Sequence, residues 1–362
     1  MHRASTVGLY DPPMRSGPAP RETGLDVVRA VALVSMYVAH FAPSDGPGGV
    51  LGLSEYLTAP LFAFLIGWSA HLALARGRES VRDVTVRGLV VLLVGLALEP
   101  AIDQIYVILP WLALLIWVMG ALSRLGSRWL VVLATGLVLV EPTLLDRSRD
   151  WLQSAAPERH GAGIVSPVDL LPKLVELAAG GDAYRLTVLV PMACLGVLVA
   201  RHAAGGPVGM ITGATACAGS AVLLLLGQLD AVTLEPYSGR WAELVLEALL
   251  VVAVTFVVRR AAAVLPRTAR LLAPAGAMTL SLYVVQVLAS QAWIAAGVSD
   301  RGLGGTSVAT DDSWLLLAVL VLGSVVLAAA WARLLGGTPL ARGPLEAVVH
   351  RLTRASAPVR AA

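Results

Sequence analysis

The sequence predicts an all-α, polytopic integral membrane protein with about ten transmembrane helices. Three observations carry that prediction. Of its 362 residues, 57% are hydrophobic and only 14% charged, whereas average globular chains are nearer a quarter charged. The apolar residues fall in long runs that together exceed any soluble core and approach the length needed to cross ~30 Å of hydrocarbon. In lipid the backbone must satisfy its own hydrogen bonds, which helices do within each segment.

Taken in order, residues 1–24 are rich in Pro, Gly, Ser and Arg and read as a disordered cytoplasmic tail. Ten apolar stretches follow, at roughly 25–43, 56–75, 84–102, 104–122, 129–146, 185–203, 208–228, 241–258, 272–296 and 314–335. No small-residue cleavage site follows the first, which is expected to act as an uncleaved anchor. The third and fourth read as a tight hairpin with Glu99, Pro100 and Asp103 at its tip. An outer loop is expected at about 146–184 and a cytoplasmic tail at 336–362.

The connections fix the expected orientation. Arg76, Arg78, Arg82 and Arg87 follow the second span. Arg124 and Arg128 follow the fourth, Arg201 the sixth, and Arg259, Arg260, Arg267 and Arg270 the eighth. The alternate connections hold Asp45 and Glu55, or Asp300, Asp311 and Asp312 against the single Arg301. By the positive-inside rule both termini are cytoplasmic, and an even span count agrees. The expected location is the cell (inner or cytoplasmic) membrane. The net charge of +3 says little about partners, because topology distributes the arginines, and it gives nucleic-acid binding no support. Cys194 and Cys217 sit in apolar runs as small hydrophobes. No disulfide framework, metal-ligand spacing, Walker loop or dinucleotide fingerprint appears.

The first span carries the chemistry. Asp26, Arg29 and His40 lie in an otherwise apolar helix, where ionisable groups are costly and point to function. Arg29 and His40 are eleven residues apart. At ~100° and ~1.5 Å per residue they share one face, roughly 16 Å apart along the axis. Asp26 sits one turn before Arg29 and can pair with it. Arg29 either holds a phosphate or other anion, or snorkels to the interface beside Asp26. His40 either acts as a general base or is a helix-end histidine bonded to a backbone carbonyl. The carboxylate that would orient it is best sought in Asp45 and Asp103, on membrane depth alone. His71 reads as a packing residue. Glu99 and Glu141 either line a cavity or mark where a helix meets water. Tyr283 and Gln286 offer contacts to a substrate or an interhelical hydrogen bond.

Three stretches together resemble the transmembrane acyltransferase superfamily. Arg21, Leu25-Asp26, Arg29, Met36 and His40 look like its opening, and Arg29 and His40 match the Arg-x10-His motif of the acyltransferase-three family residue for residue. Ala59-Pro60-Leu61-Phe62 to Gly67-Trp68-Ser69 resembles the catalytic domain of the heparan-α-glucosaminide N-acetyltransferase family and its bacterial relatives. Gly276 to Tyr283 with Gln286 is similar to a related bacterial membrane family, as is Gly343-Pro344-Leu345-Glu346 followed by Arg351-Leu352-Thr353. Residues 105–270 match only as hydrophobic spans. Where the family usually has Gly after the arginine, this chain has Ala30.

The resemblance implies an acyltransferase-like domain over 25–335. It implies transfer of an acyl group, usually acetyl, from cytoplasmic acetyl-CoA or another acyl-CoA to a hydroxyl or amine on the far side, with a cell-envelope glycan as the expected acceptor. His40 would be the catalytic histidine, and Arg29 with Asp26 would lie by the CoA nucleotide. No metal is expected. The proton would pass directly to His40 or the acyl group would first rest on it. Two other readings stand beside this one: a transporter or exporter of a small molecule, against which no internal repeat is visible, and a non-catalytic membrane partner.

Overall fold

Apolar runs broken by Gly, Pro and Arg clusters become helices joined by short connections. In the computed structural model, residues 23–77, 80–99, 106–155, 169–296, 312–338 and 340–354 are described, and every regular element among them is helical. The helices are α1 (Thr23–Phe41), α2 (Leu53–Ala75), α3 (Val81–Leu98), α4 (Leu109–Leu122), α5 (Ser127–Ala155), α6 (Leu170–Val175), α7 (Leu186–His202), α8 (Gly206–Gln228), α9 (Trp241–Val264), α10 (Pro266–Ala277), α11 (Thr279–Ala295), α12 (Trp314–Leu334) and α13 (Pro344–Arg354).

Each of the ten apolar stretches falls on one of these helices, the ninth on the pair α10 and α11, which bend by 72° at Met278. Six helices are long and apolar enough to cross a membrane, or seven if the bent pair is one span. The remainder fall short for separate reasons. The first turns of α3 carry Arg82, Asp83 and Arg87, and α4 and α7 are short.

Boundaries differ from the sequence reading in three places. The tight hairpin after the third stretch is looser, since α4 starts at Leu109 with Pro110 in its first turn, where a missing N–H costs nothing. The tip residues Pro100 and Asp103 lie outside the described residues. α5 runs through Pro142 to Ala155, so the expected outer loop begins about nine residues later, and α6 with a π-turn at Glu176–Gly180 occupies its second half. The C-terminal segment expected as a tail contains α13, packed on α3 and α11. Of the expected N-terminal tail only Thr23 and Gly24 are described, and they already belong to α1.

Packing separates an inner set from an outer set. α1 and α2 are 61% buried over their apolar windows, and α5 is 17% buried. α8 and α12 likewise present large apolar side chains such as Ile211, Leu322 and Val326 outwards, a surface suited to lipid and not to water. α2 and α7 cross most closely. A Cβ on Gly67 would overlap the Ala193 carbonyl, and one on Gly196 the Phe64 carbonyl. Small residues allow this backbone approach. α1 lies on α10 in the same way, with Gly276 against the backbone of Asp26 and Ala30. The core gathers Leu33, Met36, Tyr37 and Phe41 of α1 with Leu115 of α4, Cys194 of α7 and Leu282 of α11. Tyr37 Oη and Ser324 Oγ, 2.8 Å apart, tie α1 to α12. The bundle thus has a near end, where α1 starts and α2, α7 and α9 stop, and a far end with the opposite termini.

Candidate functional site

The near end of α1 is built on charge spacing. Asp26 falls in the first helical turn, where a carboxylate is favoured by the helix dipole. Arg29 follows by three residues and donates through Nη1 to Asp26 Oδ1 at 2.7 Å. Its Nη2 donates to Ser69 Oγ on α2 at 2.8 Å. Arg29 therefore turns across to the neighbouring helix and keeps a quarter of its side-chain surface open, while Asp26 is buried. The guanidinium is oriented by partners on α1 and α2, as an anion-holding group needs to be.

The same place collects the stretches singled out in the sequence. Gly276, at the end of α10, meets the Asp26 carbonyl. Met278 then turns the chain into α11, whose first N–H groups need acceptors. Glu346 of α13 supplies them: Leu280 and Ser281 N–H donate to its Oε1 at 2.8 and 3.1 Å, and Ser281 Oγ to its Oε2 at 2.5 Å. Gly276 thus meets Asp26, and Ser281, a few residues further along the chain, meets Glu346. Burial raises the Glu346 carboxyl above its ordinary value, opposed by these hydrogen bonds.

His40 occupies the last turn of α1, half-buried, with the Phe41 ring 6.1 Å away edge-on. Ser313 N–H donates to the Phe41 carbonyl at 3.1 Å, which brings the start of α12, and Asp312 just before it, to the end of α1. Asp45 lies in the exposed turn between α1 and α2, where its carbonyl accepts from Leu51 N–H at 2.8 Å. Its carboxylate faces Gly52, and no hydrogen bond or ion pair joins it to His40. Asp103 lies outside the described residues. The structure therefore brings Asp26, Arg29 and Ser69 together, places His40 at the opposite end of the same helix, and leaves Asp45 in the turn beyond it.

Sequence reasoning singled out Glu141 but passed over the rest of the polar cluster to which it belongs in the far half. Arg185, immediately before α7, donates through Nε to Glu141 Oε1 at 2.8 Å and through Nη1 to the Gly181 carbonyl at 3.0 Å. It also reaches the Tyr237 carbonyl at 3.3 Å. Tyr237 has φ 61°, the left-handed region that a bulky residue rarely adopts, and this conformation holds its carbonyl on the guanidinium. Glu243 accepts from Ser238 Oγ and Gly239 N–H, both at 2.7 Å. Glu247, one turn along α9, is buried, and its Oε2 and the Oε2 of Glu141 have no partner. A cavity of about 20 Å³ lies among Glu55, Tyr184, Tyr237, Glu243 and Glu247, room for about one water. Burial pushes the phenols of Tyr184 and Tyr237 up. The available signal was a pair of glutamates four residues apart inside an apolar run, which is a functional pointer by itself.

On α11, Gln286 is fully buried with neither amide atom partnered. The interhelical hydrogen bond open to it is not made, and its donors and acceptor remain for another group.

No protein-family model matches this chain, and no curated protein sequence matches it.

Proposed function

We propose that this chain is a multi-pass acyltransferase of the cell membrane, crossing it ten times with both termini cytoplasmic. It moves an acyl group, acetyl in the simplest case, from a cytoplasmic acyl-CoA to a hydroxyl or amine of an outward-facing acceptor, a cell-envelope glycan by class. The observation that carries the reading is the layout of α1. A guanidinium fixed by Asp26 and Ser69 at the near end shares its helix with His40 at the far end. The axial separation of roughly 16 Å is of the order of a pantetheine arm. The contacts of Asp26 with Gly276 and of Ser281 with Glu346 lend support, because these residues lie in the stretches that carry the resemblance.

The chemistry balances without a further reagent. His40 takes the proton of the acceptor hydroxyl or amine. The acceptor oxygen or nitrogen bonds to the thioester carbonyl carbon, the carbon–sulfur bond breaks, and the departing thiolate receives the proton. Arg29 holds CoA phosphate through the part of its surface left open.

The test is thermal unfolding of the purified protein with acetyl-CoA. A ligand that binds only the folded state at about 100 times its Kd adds ~2.7 kcal/mol. Wild type and His40→Ala should both be stabilised, Arg29→Ala should not, and His40→Ala should abolish CoA-dependent transfer. Absence of stabilisation in the wild type at millimolar ligand overturns the reading.

A second reading has its own support. The unpartnered buried amide of Gln286 and the unpartnered oxygens of Glu141 and Glu247 suit a polar path through a transporter or exporter. That reading predicts solute flux in proteoliposomes with no consumption of acyl-CoA.

A further inference from the structure

The last helix, α13, keeps its apolar stripe away from the bundle. Its sequence is PLEAVVHRLTR, over Pro344–Arg354. At ~100° per residue, Leu345, Val348, Val349 and Leu352 share a stripe ~100° wide, and Glu346, Ala347 and His350 fall on the opposite side. A helix lying on a globular domain in water turns such a stripe to the core. Here the polar side does so. Ala347 is 1% exposed, and the Glu346 carboxyl accepts from Leu280 and Ser281 of α11. Val348 and Leu352 are 45% and 46% exposed, and Leu345 and Val349 are half-buried.

Position and flanks say what covers this side. α13 meets the first turn of α11 at the near end, where α1 starts and α2, α7 and α9 stop. Helices that cross a bilayer meet its surface at such a level. α3, on which α13 also packs, presents Leu89, Leu93 and Leu96 outwards, so the exposed apolar surface does not end with α13. Beside the stripe stands Arg351, exposed. An apolar stripe flanked by a guanidinium is the composition of a helix that lies in a membrane interface, where basic side chains meet headgroup phosphates.

We infer that α13 lies in the plane of the membrane surface at the near end, with Val348 and Leu352 sunk among lipid acyl chains and Arg351 at the level of the headgroups. Glu346 then joins a bilayer-seated helix to the first turn of α11. The inference concerns seating in lipid, so it needs neither acyl transfer nor transport.

The test uses the full chain in phosphatidylcholine nanodiscs. Cys217 is replaced by alanine and the buried Cys194 is kept. Single cysteines from Val348→Cys, Leu352→Cys and Arg351→Cys carry a fluorescent label. Lipids brominated on their acyl chains quench from within the bilayer, and iodide quenches from water. The labels at 348 and 352 should lose emission to brominated lipid and be shielded from iodide, which should reach the label at 351 more freely. Equal access of iodide to all three positions overturns the inference, because the stripe then faces water. Shielding of 348 and 352 from both quenchers overturns it too, and assigns the stripe to a second copy of the chain or another protein. A label-free variant guards against a label that disturbs the helix. Leu352→Glu places a charge among acyl chains and should lower the thermal midpoint in nanodiscs, whereas on a water-facing surface it changes little. A midpoint unchanged or raised by Leu352→Glu overturns the inference.

Discussion

Arg29 and Arg185 both meet carboxylates, and they do so on opposite terms. Arg29 pairs with Asp26 in the first turn of its own helix, donates to Ser69 and keeps a quarter of its side chain open. Arg185 is 2% exposed and pairs with Glu141 at 0%, and Glu243 and Glu247 lie close by. The first pair is local, and its guanidinium is accessible. The second is sealed, spans α5, α7 and α9, and has more carboxyl groups than guanidiniums. An accessible local pair can give up a contact to a ligand. A sealed unmatched one is committed to holding three helices together, because any loss leaves a buried charge alone.

Arg185→Met puts the largest strain on that contrast. Removing the guanidinium strands Glu141 and takes donors from the Gly181 and Tyr237 carbonyls. Breaking one side of a buried pair costs about 3–5 kcal/mol, so the thermal midpoint should fall steeply. Arg29→Met should cost less, since Asp26 keeps the field of its helix N-terminus. Adding Glu141→Gln to Arg185→Met should recover part of the loss. Equal losses for the two arginine variants would erase the distinction between the clusters.

Gly276→Ala probes how much the near cluster depends on backbone approach. Its Cβ would overlap the Asp26 carbonyl, and overpacking of this kind costs about 1–3 kcal/mol. The damage should appear both in the thermal midpoint and in weakened acetyl-CoA stabilisation, as α10 pushes the first turn of α1 away. Gly323→Ala on α12 meets nothing within 4 Å and should be neutral or slightly stabilising. If both glycines tolerate alanine alike, the near cluster is not held by the α1–α10 crossing.

The helical content was legible because apolar runs and their arginine-rich breaks are local signals. The Asp26–Arg29 pair was legible for the same reason, since three-residue spacing on a helix dictates proximity. What joins distant segments was not. Nothing near Ser69 announces that it meets Arg29 across 40 residues, and Glu346 could be marked as part of a matching stretch but not as the acceptor for α11, 65 residues earlier. Arg185 read only as the first residue of the sixth apolar stretch. Its role depends on α5 and α9 converging there. The far cluster has a local signal at Glu243 and Glu247, four residues apart in an apolar run, and none at Arg185.

Glu346 gives the smallest effect and the sharpest comparison, because it lies outside the apolar spans and is neither ion-paired like Asp26 nor left with a bare oxygen like Glu247. Three hydrogen bonds from Leu280 and Ser281 surround it, yet burial still raises its carboxyl. A raised carboxyl binds its proton more tightly folded than unfolded. Its contribution to stability is therefore complete below the ordinary carboxylate value and is lost as pH climbs through the folded value. Hydrogen exchange at the start of α11 should accordingly rise over that window beyond its intrinsic pH dependence. Glu346→Gln keeps an oxygen for the two N–H groups and cannot titrate, so it should flatten that excess while changing the low-pH level little. A wild-type profile that runs parallel to that of Glu346→Gln would mean that hydrogen bonding offsets burial at this carboxyl. Complete hydrogen bonding would then suffice, without a counter-charge, to hold a carboxylate ionised in this bundle, and the contrast between the near and far clusters would rest on partners and not on net charge.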